Sequence, residues 1–307
     1  MPLFVFRSVG LCIAIALWSA CSGDRGARLT PAEAVPNLSI APSTDGVTSL
    51  LYVTDPGNVD VAEYSYPDGK PSGTIKGFAP GGDCVDASGH VFVANQQKST
   101  ILEFAHGGTK PIHTLDDPTL NPLGCSVDPT TGNLAVTSFI GPNKHGGLAI
   151  YLHATGKPKV YFDSKIPHMF FAGYDAAGNL YVDGTTPSHT VVLGKLAKGS
   201  SKITTITLDQ TIAVAGGVQW DGKNVAVSDA NAGVIYRFTV QNGKGTKVGS
   251  TLLKGSAYVD QFWIHGLQVI APDYINGVVR FYKYPGGGTA VKTIGGLGTP
   301  IAVTLSD

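Results

Sequence analysis

The chain is poor in helix-forming acid. Its 307 residues include 22 acids, of which only Glu33, Glu63 and Glu103 are glutamates. Glu favours helices, whereas Asp, Gly and Pro favour turns. With 40 Gly and 19 Pro also present, a helical bundle, a coiled coil and a helical solenoid are all excluded. Charge is scarce as well, at 14% against roughly 25% for soluble domains. Neither sign dominates, because Lys+Arg and Asp+Glu are 22 each. No basic field exists to attract nucleic acid, so none is expected as a partner. The longest early apolar run, Ser8 to Ala20, has 13 residues. A membrane-spanning helix needs about 20.

What is present begins with an address. Arg7 is the one charge ahead of that apolar run, and the small pair Ser19-Ala20 precedes Cys21. This is the pattern of an export signal over residues 1–21. The segment Leu17-Trp18-Ser19-Ala20-Cys21 resembles a bacterial lipobox, with Trp18 standing where Leu is usual. That resemblance implies lipidation at Cys21. Ser22 then favours an outer-membrane anchor facing the periplasm or cell surface, with simple secretion as the other outcome. Residues 22–46 have little periodicity and fit a flexible tether. A lipid on Cys21 would be the only membrane attachment.

Export also sorts the cysteines. Cys12 belongs to the signal and Cys21 to the lipid, leaving Cys84 and Cys125 in an oxidising compartment. A disulfide between them is the favoured state, two buried thiols the competing one. The bond would close a loop of about 40 residues, worth on the order of 3–4 kcal/mol.

The body repeats. Apolar runs begin at Leu51, Val91, Leu134, Leu180, Val225 and Val269, at spacings of 40, 43, 46, 45 and 44. Tight turns precede five of them, such as Asp86-Ala-Ser-Gly-His90 and Asp175-Ala-Ala-Gly-Asn179. A β-rich segment follows each, such as Ile101-Leu-Glu-Phe104 and Val234-Ile-Tyr-Arg-Phe238. A Gly/Pro/Lys turn and a fourth short strand complete most periods. A period near 43 is the length of a four-stranded antiparallel propeller blade. The expected fold is therefore all-β, a six-bladed β-propeller over residues 47–307. The series opens on the second strand type and ends with Thr299-Pro-Ile-Ala-Val-Thr-Leu305, which matches the first type (Gly82–Val85, Gly124–Val127). The C-terminus can then supply the innermost strand of the first blade and remove an exposed sheet edge. Residues 37–50 compete for that place.

The unit Gly-x-x-Val-Asp-x-x-Gly-Asn-Leu-Tyr-Val-x-Asp, followed by Val-x-x-Phe/Tyr, resembles the NHL-repeat and SMP-30-like group of six-bladed propellers found in exported bacterial proteins. The group contains lactonases, lyases, sensors and binding modules, so the resemblance implies architecture and leaves activity open.

In such a meander the second-to-third and fourth-to-first strand connections share one face. The first set carries Asp55, Asn95, His145, Asp183, His189, Asp229 and Asp273; the second carries Asp116, Asp117, His168 and Asp260. Asp55, Asp183, Asp229, Asp260, Asp273, His145, His168 and His189 are the candidate mouth-binding residues for a polar ligand. Their competing role is structural, since an acid ending each second strand recurs as a turn-former would. No cofactor is expected. The resemblance leaves room for a divalent cation such as calcium, but calcium takes 6–8 oxygens. The SMP-30-like Glu-Gly-Pro-x-Trp run is absent, and no Glu follows Glu103. Gly-x-Ser-x-Gly is absent too, and Pro285-Gly-Gly-Gly288 lies between strands, where it is a hairpin turn rather than a phosphate loop. Tyr64, Phe104, Tyr151, Phe238 and Phe281 should fill gaps between blades. Phe262 and Trp263 either pack or line the channel mouth. The chain is thus expected to be a monomeric module binding a small molecule or an envelope protein. The alternative is a divalent-metal-dependent lactonase or hydrolase, or a lyase of the streptogramin-lyase type.

Overall fold

The computed structural model describes residues 48–119, 121–141 and 145–307. They lie in the second of two compact units, Asp45–Asp307. The export signal, Cys12, Cys21 and the tether lie outside the described residues.

Alternating side chains and turn-forming Asp and Gly give short strands throughout. The strands are β1 (Leu50–Asp55), β2 (Asp60–Ser65) and β3 (Pro71–Lys76); then β4 (Pro80–Val85), β5 (Val91–Asn95), β6 (Thr100–Phe104) and β7 (His113–Asp116). Next come β8 (Pro122–Val127), β9 (Leu134–Ser138), β10 (Gly147–Tyr151) and β11 (Lys159–Tyr161). They are followed by β12 (His168–Tyr174), β13 (Leu180–Thr185), β14 (Val191–Leu196) and β15 (Ile203–Leu208). Then come β16 (Ala215–Trp220), β17 (Val225–Asp229), β18 (Val234–Gln241) and β19 (Lys244–Lys254). The last are β20 (Trp263–His265), β21 (Gln268–Asp273), β22 (Val278–Lys283), β23 (Gly288–Thr289), β24 (Lys292–Ile294) and β25 (Ala302–Ser306). Among the described residues the only helical element is a 3-10 turn, Leu152–Ala154.

Four sheets are four-stranded: β25-β1-β2-β3, β4-β5-β6-β7, β8-β9-β10-β11 and β20-β21-β22-β24. The meanders β12–β15 and β16–β19 join into one nine-stranded sheet with β23. The join is a two-residue parallel contact, Thr207 and Leu208 beside Lys244 and Gly245. This is a β-propeller arrangement of small antiparallel sheets. The C-terminal β25 pairs antiparallel with β1, Leu51 opposite Leu305 and Val53 opposite Val303. Leu50 belongs to β1, so the end of the chain, not residues 37–50, supplies the innermost strand.

The core is divided among the seams between meanders. Tyr52, Phe78, Val93 and Phe104 fill the seam between the first and second. Phe92, Leu115, Val136 and Tyr151 fill the next, together with Cys84 and Cys125. Similar clusters follow around Leu180 and Met169, Phe238 and Val218, Tyr282 and Phe262, then Phe281 and Leu305. Tyr64, Phe104, Tyr151 and Phe238 stand opposite Leu51, Val91, Leu134 and Val225, the residues that open the repeated apolar runs. The fifth member of that set is Tyr282, opposite Val269, not Phe281, which stands opposite Ile270 and fills the following seam. Two adjacent aromatics made the register ambiguous in sequence, and a one-residue slip moves a side chain to the other face.

Candidate functional site

The innermost strands converge on the axis, and most carry an irregularity midway. Register shifts fall between Pro80 and Asp83, Pro122 and Cys125, Met169 and Ala172, and Ala215 and Val218. Each gains one residue over its partner, which is a β-bulge, and a bulge re-aims side chains. The bulges hold Gly81-Gly82, Leu123-Gly124, Phe170-Phe171 and Gly216-Gly217. Gly82 has no room for a side chain, because a Cβ there would lie 2.3 Å from Gln261 Oε1 and 2.7 Å from the Leu123 carbonyl. Gln261 also donates its Nε2–H to the Asp83 carbonyl. The axis is therefore narrow at this level, with a cavity toward either end.

The upper cavity, on the side of the second-to-third and fourth-to-first connections, has a volume of about 290 Å³. The Phe170–Phe171 bulge, Leu123 and Ala213–Ala215 form its walls, with Thr185 and Val191 at the rim. Tyr258 and Asp260 complete it. The lower cavity, about 310 Å³, is bordered by the Cys84–Cys125 pair, Tyr174, Trp220, Phe262 and Trp263. Phe262 and Trp263 thus pack in seams and border the lower cavity, away from the mouth carrying Asp260.

Most strand-end acids hold backbone. Asp55 accepts the amides of Gly298 (2.7 Å) and Thr299 (2.8 Å), fastening the segment that leads into β25. Asp229 accepts the Ala213 amide at 2.7 Å. Asp273 accepts the Ala257 amide at 3.1 Å and Asn276 Nδ2 at 2.8 Å, and pairs with Arg280. Asp117 accepts from the Thr119 amide and, at 3.2 Å, from Ser138 Oγ, while burial holds its carboxyl above the usual range.

Asp183 does not belong to this series. Gly184, not Asp183, occupies the register position of Asp229. Asp183 corresponds instead to Thr54, Ala94, Thr137, Ser228 and Pro272, all without charge. Two of those hydroxyls bridge neighbouring inner strands: Thr137 donates to the Gly124 and Phe170 carbonyls, and Ser228 to the Asp260 carbonyl, whereas the Thr54 hydroxyl has no hydrogen bond. A fully buried carboxylate does the same work at Asp183. Its Oδ1 accepts the Phe171 amide at 2.8 Å, and its Oδ2 has no hydrogen bond. Burial pushes its carboxyl well above the ordinary range, against the Phe171 and Gly216 amides, and Asp260 pushes the same way.

Asp260 lies just ahead of β20, beside the Gly216–Gly217 bulge. Its carbonyl accepts the Gly217 amide at 2.6 Å, and the residue is among those lining the upper cavity. Burial raises that carboxyl to about 7. Tyr258 beside it is pushed up to about 12 by burial, then by Asp260 and Tyr274.

The histidines divide. His168 and His189 stack, ring centres 6.4 Å apart, and His168 also meets Phe139 at 5.0 Å. The His168 ring hydrogen-bonds the Phe139 carbonyl at 3.1 Å. His145 engages its own β9–β10 connection through its backbone, its carbonyl accepting the Gly141 amide at 2.7 Å. No group of three or more His, Cys, Asp or Glu able to hold a metal occurs among the described residues.

Asp83 was not singled out from the sequence. It is fully buried, and neither carboxylate oxygen has a hydrogen bond. Its cross-strand neighbour Val93 faces the seam between the first and second sheets. The corresponding residues Cys125, Ala172 and Val218 are apolar, so the signal was an acid at an otherwise apolar position. Burial pushes its carboxyl well above the usual range. Cys84 and Cys125 form a disulfide with Cα atoms 5.6 Å apart, joining two neighbouring innermost strands.

This architecture defines the class: a β-propeller, a fold that commonly serves as a binding module. Solved structures agree. A chain of the nidogen/laminin complex superposes with TM-score 0.67 at 14% identity, covering 84% of this chain and 98% of that one. A protein of unknown function from Bacteroides caccae gives 0.64 at 11%, covering 85% and 99%. A functionally unknown protein from Desulfotomaculum acetoxidans gives 0.59 at 10%, covering 84% and 98%. At these identities the likeness is one of fold alone. No family model and no curated protein matches the sequence.

Proposed function

We propose that this chain is an exported, lipid-anchored propeller of six blades that binds a ligand at its upper mouth. The count of six treats the nine-stranded sheet as two blades bridged at Thr207–Leu208. The repeat period and six seam clusters support it. The NHL-like repeat unit supports placing it with that group of exported proteins. Residues 1–21 act as the signal, Cys21 as the lipidated residue, 22–46 as the tether and 47–307 as a monomeric propeller. The protein faces the periplasm or cell surface.

One observation carries the binding role: the upper cavity has a mainly apolar wall that includes one acid, Asp260. Pockets with few, placed polar groups on an apolar wall are what ligand sites look like. The latching acids Asp55, Asp229 and Asp273 are spent on backbone, so the site is smaller than the rim of acids. A fragment screen by protein-observed NMR tests this. Binders should shift Phe170, Phe171 and Tyr258 and be lost when Thr185→Trp fills the mouth. Binders confined to the outer faces, indifferent to that variant, would refute the site. For the anchor, Cys21→Ser should release the protein from membranes, and continued need for detergent would exclude lipidation.

A hydrolase or lyase is the second reading. The Asp183–Asp260 pair favours it, since neighbouring carboxyls with raised pKa values suit acid–base chemistry. Turnover of a lactone or ester panel, abolished by Asp260→Asn, would establish it.

A further inference from the structure

We propose that the upper cavity takes an organic cation, a protonated amine or quaternary ammonium on a small apolar body. This rests on the binding-module reading above and names its ligand class.

The chemistry of the wall selects the class. Phe170, Phe171 and Tyr258 present aromatic surface, and Leu123, Val191 and Val214 present aliphatic surface. Among the described residues Asp260 is the one charged residue lining the cavity, and no Lys, Arg or His lines it. When ionised it is an acceptor only. An anion is rejected by Asp260 in its ionised form. A hard metal ion is also a poor match, because it needs about six oxygens and the wall supplies mainly carbon. A cation carried on carbon is satisfied on both sides: its charge meets the carboxylate, and its polarised C–H or N–H groups meet the aromatic faces.

Asp183 gives an independent reason. The other five strands carry Thr, Ala, Thr, Ser or Pro at its register position. A hydroxyl is enough to bridge the inner strands there, as Thr137 and Ser228 demonstrate. A buried carboxylate is costly unless a positive partner compensates it. Neither Asp183 nor Asp260 has an ion pair with a basic side chain among the described residues. An acid at the cavity wall, with a second buried near it and no basic side chain paired to either among the described residues, is the environment a ligand's positive charge would complete.

The test uses the whole folded domain and two probes of one shape, 2-phenylethylamine and 2-phenylethanol, titrated by calorimetry. The amine should bind at least about tenfold tighter than the alcohol, the scale of a desolvated cation–π and ion-pair contribution. Asp260→Asn should remove that preference and leave alcohol binding unchanged. Equal affinities in the native protein would overturn the ligand class, whatever the variant does. So would an Asp260→Asn protein that still prefers the amine. Uncharged fragments that bind and are blocked by Thr185→Trp, without any amine preference, would sink the class while the site survives. No binder at the cavity at all would sink both.

Discussion

At the residue scale, the carboxylates sort by what they hold. Asp273 compensates Arg280 and latches two segments, so Asp273→Ala strands a half-buried guanidinium. The loss should be about 3 kcal/mol or more, read by chemical denaturation. Asp83 behaves in the opposite sense. Burial lifts its folded pKa above the unfolded value of about 3.9, so the folded chain holds a proton that the unfolded chain releases. Its stabilising contribution is complete below about pH 4 and drains away as pH rises toward the folded value. Asp83→Asn should therefore unfold at higher temperature than the native protein at pH 8, with the gap narrowing toward pH 4. A gap of the same size at both pH values would show that the carboxyl is not held neutral. The latch acids were legible because an acid ending a strand before a turn has one obvious occupation. Asp183 and Asp83 were not. The first differs from its neighbours by a one-residue register step that sequence spacing cannot resolve. The second sits in a stretch legible as a strand, Gly82–Val85, but spacing does not tell which face an acid beside a bulge takes.

At the element scale, the cross-link and the bulges matter most. The Cys84–Cys125 bond closes a 41-residue separation and joins two inner strands. Cys84→Ala with Cys125→Ala should cost about 4 kcal/mol in the chain-entropy picture, measured as a lower denaturant midpoint at unchanged slope. An unchanged midpoint would mean that the seam packing of Phe92 and Tyr151 carries the interface alone. Strand order and the hairpin turns were readable from alternation and from Asp and Gly placement. The bulges were not, because an extra residue leaves alternation intact on either side of it. That is why the sequence placed Asp260 in a loop among many acids, whereas the structure singles it out beside Phe170 and Tyr258.

At the scale of the whole molecule, the ring depends on its last strand. Deleting residues 300–307 removes β25, opening the β1 edge and uncovering Leu51, Val53, Ile270 and Phe281. The truncated protein should lose its sharp near-ultraviolet dichroism and form oligomers on a sizing column. A monomer with native dichroism would mean that the first sheet is stable without closure. The repeat made this closure legible, since the series starts on the second strand type and ends on the first. Asp55 reaches Gly298 across 243 positions of chain. Thus β1 gains one neighbour, β2, from the next hairpin, but its other edge is covered only by the far-distant β25. A contact of such long sequence separation carries a large loop-closure cost and forms slowly, so the β1 edge stays open, and able to pair with another copy, through most of folding.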